Sequence, residues 1–257
     1  MENWLTLAIG GVCSGILAGI LGIGGGFIIV SLLVALGYSP IQSVATSSMV
    51  IIMSSSTGSF YNWRMGYLDL RRVVYIAIPA IVMAPLGAYL AASIPDYVLL
   101  AVFSFFLLVN IGLMRLRKRV AARENHSGKT FNPIVSRIAT GAIAGFLAGL
   151  LGIGGGAIMV PLQMLLLNEE IKVAVRTSLG VIVTATISSC ILHAVQGNVL
   201  FAPGLIVGIG GIVGTQVGSR VLPNLPNSLV SKIFTVFLAT MAVFNFWQAW
   251  QSYQNTI

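Results

Sequence analysis

Charged residues are scarce in this chain. It holds 14 Lys and Arg and 6 Asp and Glu among 257 residues, while 57% of its residues are hydrophobic. A soluble domain of this size needs much more polar surface to face water. Apolar runs long enough to cross a bilayer fill most of the chain, so the composition predicts a multi-pass membrane protein embedded in a lipid bilayer.

Acidic residues are the scarcest charged group. All six lie between apolar segments or at their ends: Glu2, Asp69, Asp96, Glu124, Glu169 and Glu170. Without a carboxylate inside a span, a carboxylate proton relay or cation site is disfavoured. The sequence also lacks a P-loop, a metal-ligand cluster and an acid/base pair, and its GIGGG strings lack the strand and acidic residue of a dinucleotide fingerprint. We therefore expect no enzyme, no cofactor, no metal and no nucleic-acid partner.

Cysteine is nearly absent. Cys13 and Cys190 both lie within apolar segments, opposite Ile143 and Ser59 when the two halves of the chain are aligned. Small buried hydrophobes are a better interpretation of this pair than a structural disulfide.

The chain does contain a close internal repeat. GILAGILGIGGG at 15–26 returns as GFLAGLLGIGGG at 145–156, with ten of twelve positions identical. Such a repeat predicts two copies of one membrane unit. We assign 1–114 to the first repeat, 115–136 to a basic cytoplasmic linker and 137–257 to the second repeat. The apolar segments are 4–38, 41–62, 72–94, 97–114, 137–167, 171–196, 201–222 and 227–250.

The first segment of each repeat is too long for one straight crossing. Residues 4–38 would form a helix of about 50 Å, against a hydrocarbon core of about 30 Å. Either the segment crosses once with an overhang or a kink, which makes the two repeats parallel, or the triple glycine bends it into a hairpin. A hairpin returns the chain to its starting side and leaves the two repeats inverted.

The placement of the basic residues favours the hairpin. In the parallel arrangement 10 of the 14 lie on the cytoplasmic side, because four fall outside: Lys172, Arg176, Arg220 and Lys232. In the inverted arrangement all 14 lie inside, as the positive-inside rule prefers. We therefore predict an all-α transmembrane bundle of two inverted four-segment repeats with both termini outside. A kinked single crossing stays open.

The triple glycines are the predicted substrate site. Paired interruptions of hydrophobic segments in two halves are the best sequence indication of a transporter's binding site. A helix that restarts at Gly26 or Gly156 presents unpaired N–H groups and the positive end of its dipole, which favours an anion. The predicted binding glycines are Gly24, Gly25, Gly26, Gly154, Gly155 and Gly156. Helix packing explains the other glycines of the first segment better: Gly11, Gly15, Gly19 and Gly22.

The second segment of each repeat carries hydroxyl groups. Thr46 and Ser47 recur as Thr177 and Ser178, so we add these four to the predicted anion site, although such hydroxyls often bond their own helix. Arg176 is a candidate for attracting anions at the entrance, with a snorkelling anchor as the alternative. His193 is a candidate proton carrier. Its counterpart Asn62 cannot carry a proton, so a hydrogen-bonded polar pair near the segment ends is the alternative.

These motifs resemble the TauE/SafE family of bacterial membrane permeases, also called toluene sulfonate uptake permeases. The resemblance rests on GILAGILGIGGGFIIVSLL and GFLAGLLGIGGGAIMVPLQMLL, followed by TSS and RTS, and covers essentially the whole chain. One departure is Ser31, which stands where the second copy has Pro161, a proline typical of the family. The resemblance implies a multi-pass protein of the bacterial inner membrane that moves sulfite, sulfonates or related small sulfur-containing anions.

The expected function is therefore a permease for small sulfur-containing anions, with export favoured. An anion that leaves the cell gains about 2.3 kcal/mol per charge per 100 mV of inside-negative potential. A passive anion channel and a non-transporting assembly or sensor subunit are the alternatives, and a homodimer stays open.

Overall fold

The computed structural model describes residues 4–123 and 132–254, and the regular structure in these two ranges is helical. A short 3-10 turn at Leu222–Asn224 follows the ninth helix. The helices are α1 Trp4–Leu21, α2 Gly26–Ala35, α3 Pro40–Arg64, α4 Leu70–Ala91, α5 Asp96–Arg123, α6 Pro133–Leu151, α7 Gly156–Leu166, α8 Ile171–Val195, α9 Phe201–Val221 and α10 Asn227–Gln254.

Seven stretches within the described ranges are long and apolar enough to span a membrane. They are Trp4–Leu21, Leu70–Ala91, Asp96–Leu113, Pro133–Leu151, Ile171–Val195, Phe201–Asn224 and Asn227–Phe244. Helices α2 and α7 are apolar but shorter. Helix α3 has 25 residues, yet it falls outside this set because its many hydroxyl groups lower its hydropathy. α5 continues to Arg123, so the predicted linker at 115–136 begins as helix, and residues 124–131 lie outside the described ranges.

Glycines in the left-handed region separate α1 from α2 and α6 from α7. Gly24 and Gly25 have φ of 75° and 80°, and Gly154 and Gly155 have φ of 75° and 72°. L-residues with a side chain rarely adopt this conformation, whereas glycine adopts it without a steric penalty. The backbone therefore leaves the helical path at these glycines and begins a new helix directly afterwards.

Each short helix runs back along the helix before it. A Cβ on Gly25 would lie 2.9 Å from the carbonyl oxygen of Ser14, and the side chain of Leu32 lies against Gly10. Near the start of α1, Leu7 packs in one cluster with Leu33 from the last turns of α2. Because later residues of α2 meet earlier residues of α1, the two helices are antiparallel. In the second half, Gly155 lies against Ala144 in the same way.

The long helices form two groups of three parallel members. Later residues of α9 contact later residues of α1 and of α3, so these three helices are parallel. In the same way, later residues of α4 contact later residues of α6 and of α8. The contacts are Gly11 with Val207, Gly15 with Gly211, Gly19 with Thr215, Gly58 with Thr215 and Thr46 with Gly204 for the first group. For the second group they are Gly141 with Ile76, Gly145 with Ala80, Gly149 with Ala84, Gly180 with Val73 and Ser188 with Ile81.

Glycine allows the closest of these approaches. A Cβ on Gly19 would lie 2.6 Å from the backbone nitrogen of Ser219, so only a residue without a side chain fits there. Gly22 does not continue this packing row, because it has φ of 69° and lies in the break against Val175 and Ser178.

An aromatic cluster joins α2 to α5 and α10. Phe27, in the first turn of α2, has ring centroids 5.3 Å from Phe103, 6.3 Å from Phe106 and 6.2 Å from Phe237. Phe103 and Phe237 meet Phe27 edge-on and Phe106 stacks on it, and such ring contacts add to the apolar burial. The start of α2 is therefore held against the rest of the bundle.

These helix directions define two faces. We call linker face the one at which α3, α5 and α9 end and α4, α6, α8 and α10 begin, and terminal face the opposite one, at which α1 begins. The eight basic residues whose side chains the structure describes all belong to helix ends at the linker face: Arg64, Arg71, Arg72, Arg137, Lys172, Arg176, Arg220 and Lys232.

Candidate functional site

The two breaks lie against each other in the centre of the bundle. Gly26 packs against Gly152 and Ile153, with a Cβ on Gly26 falling 2.6 Å from the Gly152 oxygen. Gly156 packs in the same way against Gly22 and its neighbour Ile23. The starts of α2 and α7 therefore meet, and the six predicted glycines are brought together.

Backbone donors are available at both breaks. Within the described ranges, the N–H groups of Gly24, Gly25 and Gly26 donate to no backbone carbonyl, and neither do those of Gly154, Gly155 and Gly156. The first N–H groups of a helix have no intrahelical partner, and the helix dipole adds partial positive charge at that end. Two such ends make a neutral site that suits an anion and needs no buried Lys or Arg.

Two isoleucines fill the space between the breaks. A Cβ on Gly24 would lie 2.9 Å from Ile51 and 3.4 Å from Ile182, and one on Gly154 would lie 2.9 Å from Ile182 and 3.2 Å from Ile51. Both isoleucines are fully buried. The site is closed by apolar side chains in this conformation.

Ser47 and Ser178 bond the opposite break. The hydroxyl of Ser178 donates to the Gly22 carbonyl at 2.8 Å, and that of Ser47 donates to the Gly152 carbonyl. Each hydroxyl also lies within hydrogen-bond distance of a carbonyl of its own helix. A hydroxyl has one proton to donate. These serines therefore hold the breaks in place here and do not face an open binding space.

The two neighbouring threonines differ from each other. The Thr46 hydroxyl accepts a hydrogen bond from the Leu200 N–H at 3.0 Å and so holds the start of α9. Thr177 is buried in α8. Ser54, which the sequence did not single out, donates to the Gly24 carbonyl at 3.3 Å.

The three other predicted residues lie away from the breaks. Arg176 is half-buried near the linker face, with its guanidinium carbon 4.1 Å from the centre of the Tyr67 ring. Asn62 is buried in the last turn of α3, also toward the linker face. His193 is buried near the terminal face, with Nε2 3.3 Å from the Gly149 carbonyl oxygen. His193 and Asn62 thus lie toward opposite faces and do not meet.

A small charge cluster lies at the linker face, with Asp69 and Glu169 outside the spanning stretches. Arg72 pairs with Asp69 at 2.9 Å and with Glu169 at 3.2 Å. Burial raises the pKa of the Glu169 carboxyl, and the nearby Arg72 and Arg137 oppose this rise. Within the described ranges, His, Cys, Asp and Glu form no group of three that would suit a metal ion.

Comparison with known proteins identifies the family. The family profile described as sulfite exporter TauE/SafE matches residues 7–245. The chain belongs to the TauE/SafE family. It is 27% identical over 245 residues to the probable membrane transporter protein YunE of Bacillus subtilis, a match covering 85% of this chain and 90% of that protein. A probable membrane transporter protein of Methanocaldococcus jannaschii is 28% identical over 231 residues, covering 84% of this chain and 85% of that protein.

Membership of TauE/SafE and the seven spanning stretches together make the chain a multi-pass membrane protein. The relatives are named as transporters without a substrate.

Sequence reasoning missed Ile51 and Ile182 because isoleucine is ordinary in an apolar helix. Their equivalent positions in the two repeats were the available signal.

Proposed function

We propose that this protein is a permease for small sulfur-containing anions, which are held by backbone N–H groups at the two glycine breaks. The observation that carries the proposal is the meeting of two helix starts, each with three glycine N–H groups that donate to no backbone carbonyl in the described ranges. The choice of a sulfur-containing anion as substrate rests on membership of a family whose profile is described as sulfite exporter TauE/SafE.

The proposal includes two homologous repeats in inverted orientation. Contacts that pair across the molecule support it: Ser178 bonds Gly22 as Ser47 bonds Gly152, and Gly26 meets Gly152 as Gly156 meets Gly22. The antiparallel packing of α2 on α1 supports a first segment that returns to its starting side. The second repeat then begins on the opposite face from the first.

The linker face is proposed to be cytoplasmic. The eight basic residues whose side chains are described lie at this face, and the positive-inside rule assigns such a face to the cytoplasm. Both termini are then outside. Outward movement of an anion is favoured by about 2.3 kcal/mol per charge per 100 mV. This supports export without a dedicated proton relay.

Transport requires the centre to open. Ile51 and Ile182 occupy the space between the breaks, so an anion reaches the glycine N–H groups only when these side chains move. A carrier would alternate between openings toward each face, as inverted repeats commonly do around a fixed site.

Uptake into proteoliposomes tests this function. Labelled sulfite, thiosulfate and organosulfonates should enter vesicles that contain the protein and not empty vesicles, with saturation and with exchange against unlabelled anion. Flux without saturation or exchange would replace the carrier with a passive channel. If none of these anions moves or binds, the proposed substrate class is wrong and a non-transporting subunit becomes the better account.

A further inference from the structure

Five polar side chains in the helix group formed by α1, α3 and α9 lack hydrogen-bond partners. Within the described ranges, none of their side-chain donors or acceptors is satisfied by the protein. Four of the five are buried, and Ser59 is half-buried. They are Ser55, Ser59 and Asn62 on α3, and Thr215 and Ser219 on α9, and we call them the polar stripe.

The polar stripe is continuous along the interface between α3 and α9. Ser55, Ser59 and Asn62 are four and three residues apart, which places them on one side of α3. Between them, a Cβ on Gly58 would lie 2.9 Å from the Thr215 methyl and 3.2 Å from the Ser219 hydroxyl oxygen. The hydroxyls of α9 therefore border the same strip of α3.

The polar stripe joins the central breaks to the linker face. At its inner end, the Ser55 hydroxyl oxygen would be 3.4 Å from a Cβ on Gly24. At its outer end, Asn62 lies in the last turn of α3, and its carbonyl accepts a hydrogen bond from Tyr67 at 2.8 Å. Arg176 stacks on that tyrosine ring. A cation thus lies beside the outer end.

Such a cluster requires a polar occupant. Buried hydroxyl and amide groups are nearly always hydrogen-bonded, and those that the protein leaves unpaired are usually satisfied by water or a ligand. The polar stripe offers hydroxyl and amide donors and contains no carboxylate. Its chemistry suits water and small oxyanions.

The group of α4, α6 and α8 has no equivalent row of unpaired groups: among the described counterparts, His193 alone keeps an unpartnered side-chain nitrogen or oxygen, its Nδ1. From the second segment of each repeat onward, adding 131 to the residue numbers of the first repeat gives the matching residues of the second. The counterparts of the polar stripe are Thr186, Cys190, His193, Ala84 and Ala88. Thr186 donates to the Ile182 carbonyl at 2.6 Å, and the two alanines offer no polar group. The counterpart of Arg176 is Ala45.

We infer that the polar stripe is a hydrated path and a second oxyanion-binding site that links the central site to the linker face. It has no counterpart path toward the terminal face. The identity of the passenger rests on the proposed function. The path itself rests on the unpaired groups and on the presence of alanine at the counterparts of Thr215 and Ser219. Arg176 raises the anion concentration at its entrance.

Cysteine labelling tests the path with a matched pair. In a background with Cys13→Ala and Cys190→Ala, Ser219→Cys is compared with Ala88→Cys, its counterpart. The reagent is 2-sulfonatoethyl methanethiosulfonate, an impermeant sulfonate, and it is applied to one face of sealed vesicles. Ser219→Cys should react from the linker face, and about tenfold faster than with the trimethylammonium analogue, because Arg176 favours anions. Ala88→Cys should not react from the terminal face.

A second pair keeps the inference testable if Ser219→Cys fails to fold. In a Cys13→Ala background, Ser59→Cys should react from the linker face, while its native counterpart Cys190 should not react from the terminal face. The inference would be overturned if neither Ser219→Cys nor Ser59→Cys reacted from the linker face, or if the two cysteines of each pair reacted equally. Labelling requires no transport. Reaction as expected without sulfur-anion uptake would leave the path standing and remove the proposed function.

Discussion

At the residue scale, Gly25 has both a left-handed backbone and a crowded environment, whereas Gly37 has only the left-handed backbone. Its φ is 80°, and a Cβ there would lie 2.9 Å from the Ser14 carbonyl oxygen. Gly37 has φ of 91° with nothing within 4 Å of such a Cβ. A left-handed L-residue costs about 1–2 kcal/mol at either place. We expect Gly25→Ala to abolish uptake and Gly37→Ala to retain it, as measured in proteoliposomes with matched amounts of inserted protein.

The comparison decides whether the glycine break matters for transport. Equal uptake by Gly25→Ala and wild type would remove the break from the binding site. Equal loss in both variants would mean that backbone strain alone, and not the packing of the break, limits activity.

Ile51 is predicted to restrict access to the site. Ile51→Ala removes buried methyl groups between the two breaks, with an expected stability loss of about 2–5 kcal/mol. It should also raise the passive leak of small anions through the protein, measured as efflux from preloaded vesicles. Ile29→Ala is the control, because Ile29 is equally buried but packs near Leu7 at the terminal face. A similar leak in both variants would contradict a gating role for Ile51.

At the scale of elements, serine hydroxyls fasten each break to the helix of the other half. Ser47→Ala leaves the Gly152 carbonyl without its side-chain donor, which we expect to lower stability by about 1–3 kcal/mol. Ser178→Ala should have the same effect at Gly22. The adjacent Ser48→Ala should change little, because Ser48 bonds only Val44 in its own helix. Thermal unfolding in detergent measures all three, and equal effects would contradict the special role of Ser47.

Some elements are predictable because residue type restricts the backbone. Helices end at Leu21 and restart at Gly26 because three consecutive glycines weaken a helix whatever surrounds them. The role of Ser47 was not predictable in this way. A serine in an apolar helix bonds a ligand, its own helix or a neighbour, and only the position of Gly152 decides among these.

At the scale of the whole molecule, the inverted arrangement predicts which loops share a face. Arg71 and Ser228 are both exposed and lie in different halves. In a cysteine-free background, Arg71→Cys and Ser228→Cys should react with an impermeant thiol reagent from the same face. Parallel repeats would place them on opposite faces. Reaction of the two from opposite faces would therefore overturn the inverted arrangement.

The parts of the overall architecture that depend on segment length, repeats and charge were predictable from the sequence. Segment length and basic residues led to a helical membrane bundle, and the described part of the chain is helical. The packing of α1 on α9 and of α4 on α6 depends on contacts between distant segments. No local pattern encodes those pairs, so the isoleucine-filled centre and the polar stripe required the structure.

The central claim is that glycine N–H groups at the two breaks bind a sulfur oxyanion. Amide NMR of 15N-glycine-labelled protein in lipid nanodiscs, titrated with sulfite, measures these groups directly. We predict saturable shifts at Gly24, Gly25, Gly26, Gly154, Gly155 and Gly156, because an accepted hydrogen bond changes the environment of each amide. The amides of Gly37, Gly66 and Gly197, in turns at the two faces, should stay unchanged. Sulfite transport without shifts at the break glycines would contradict the account.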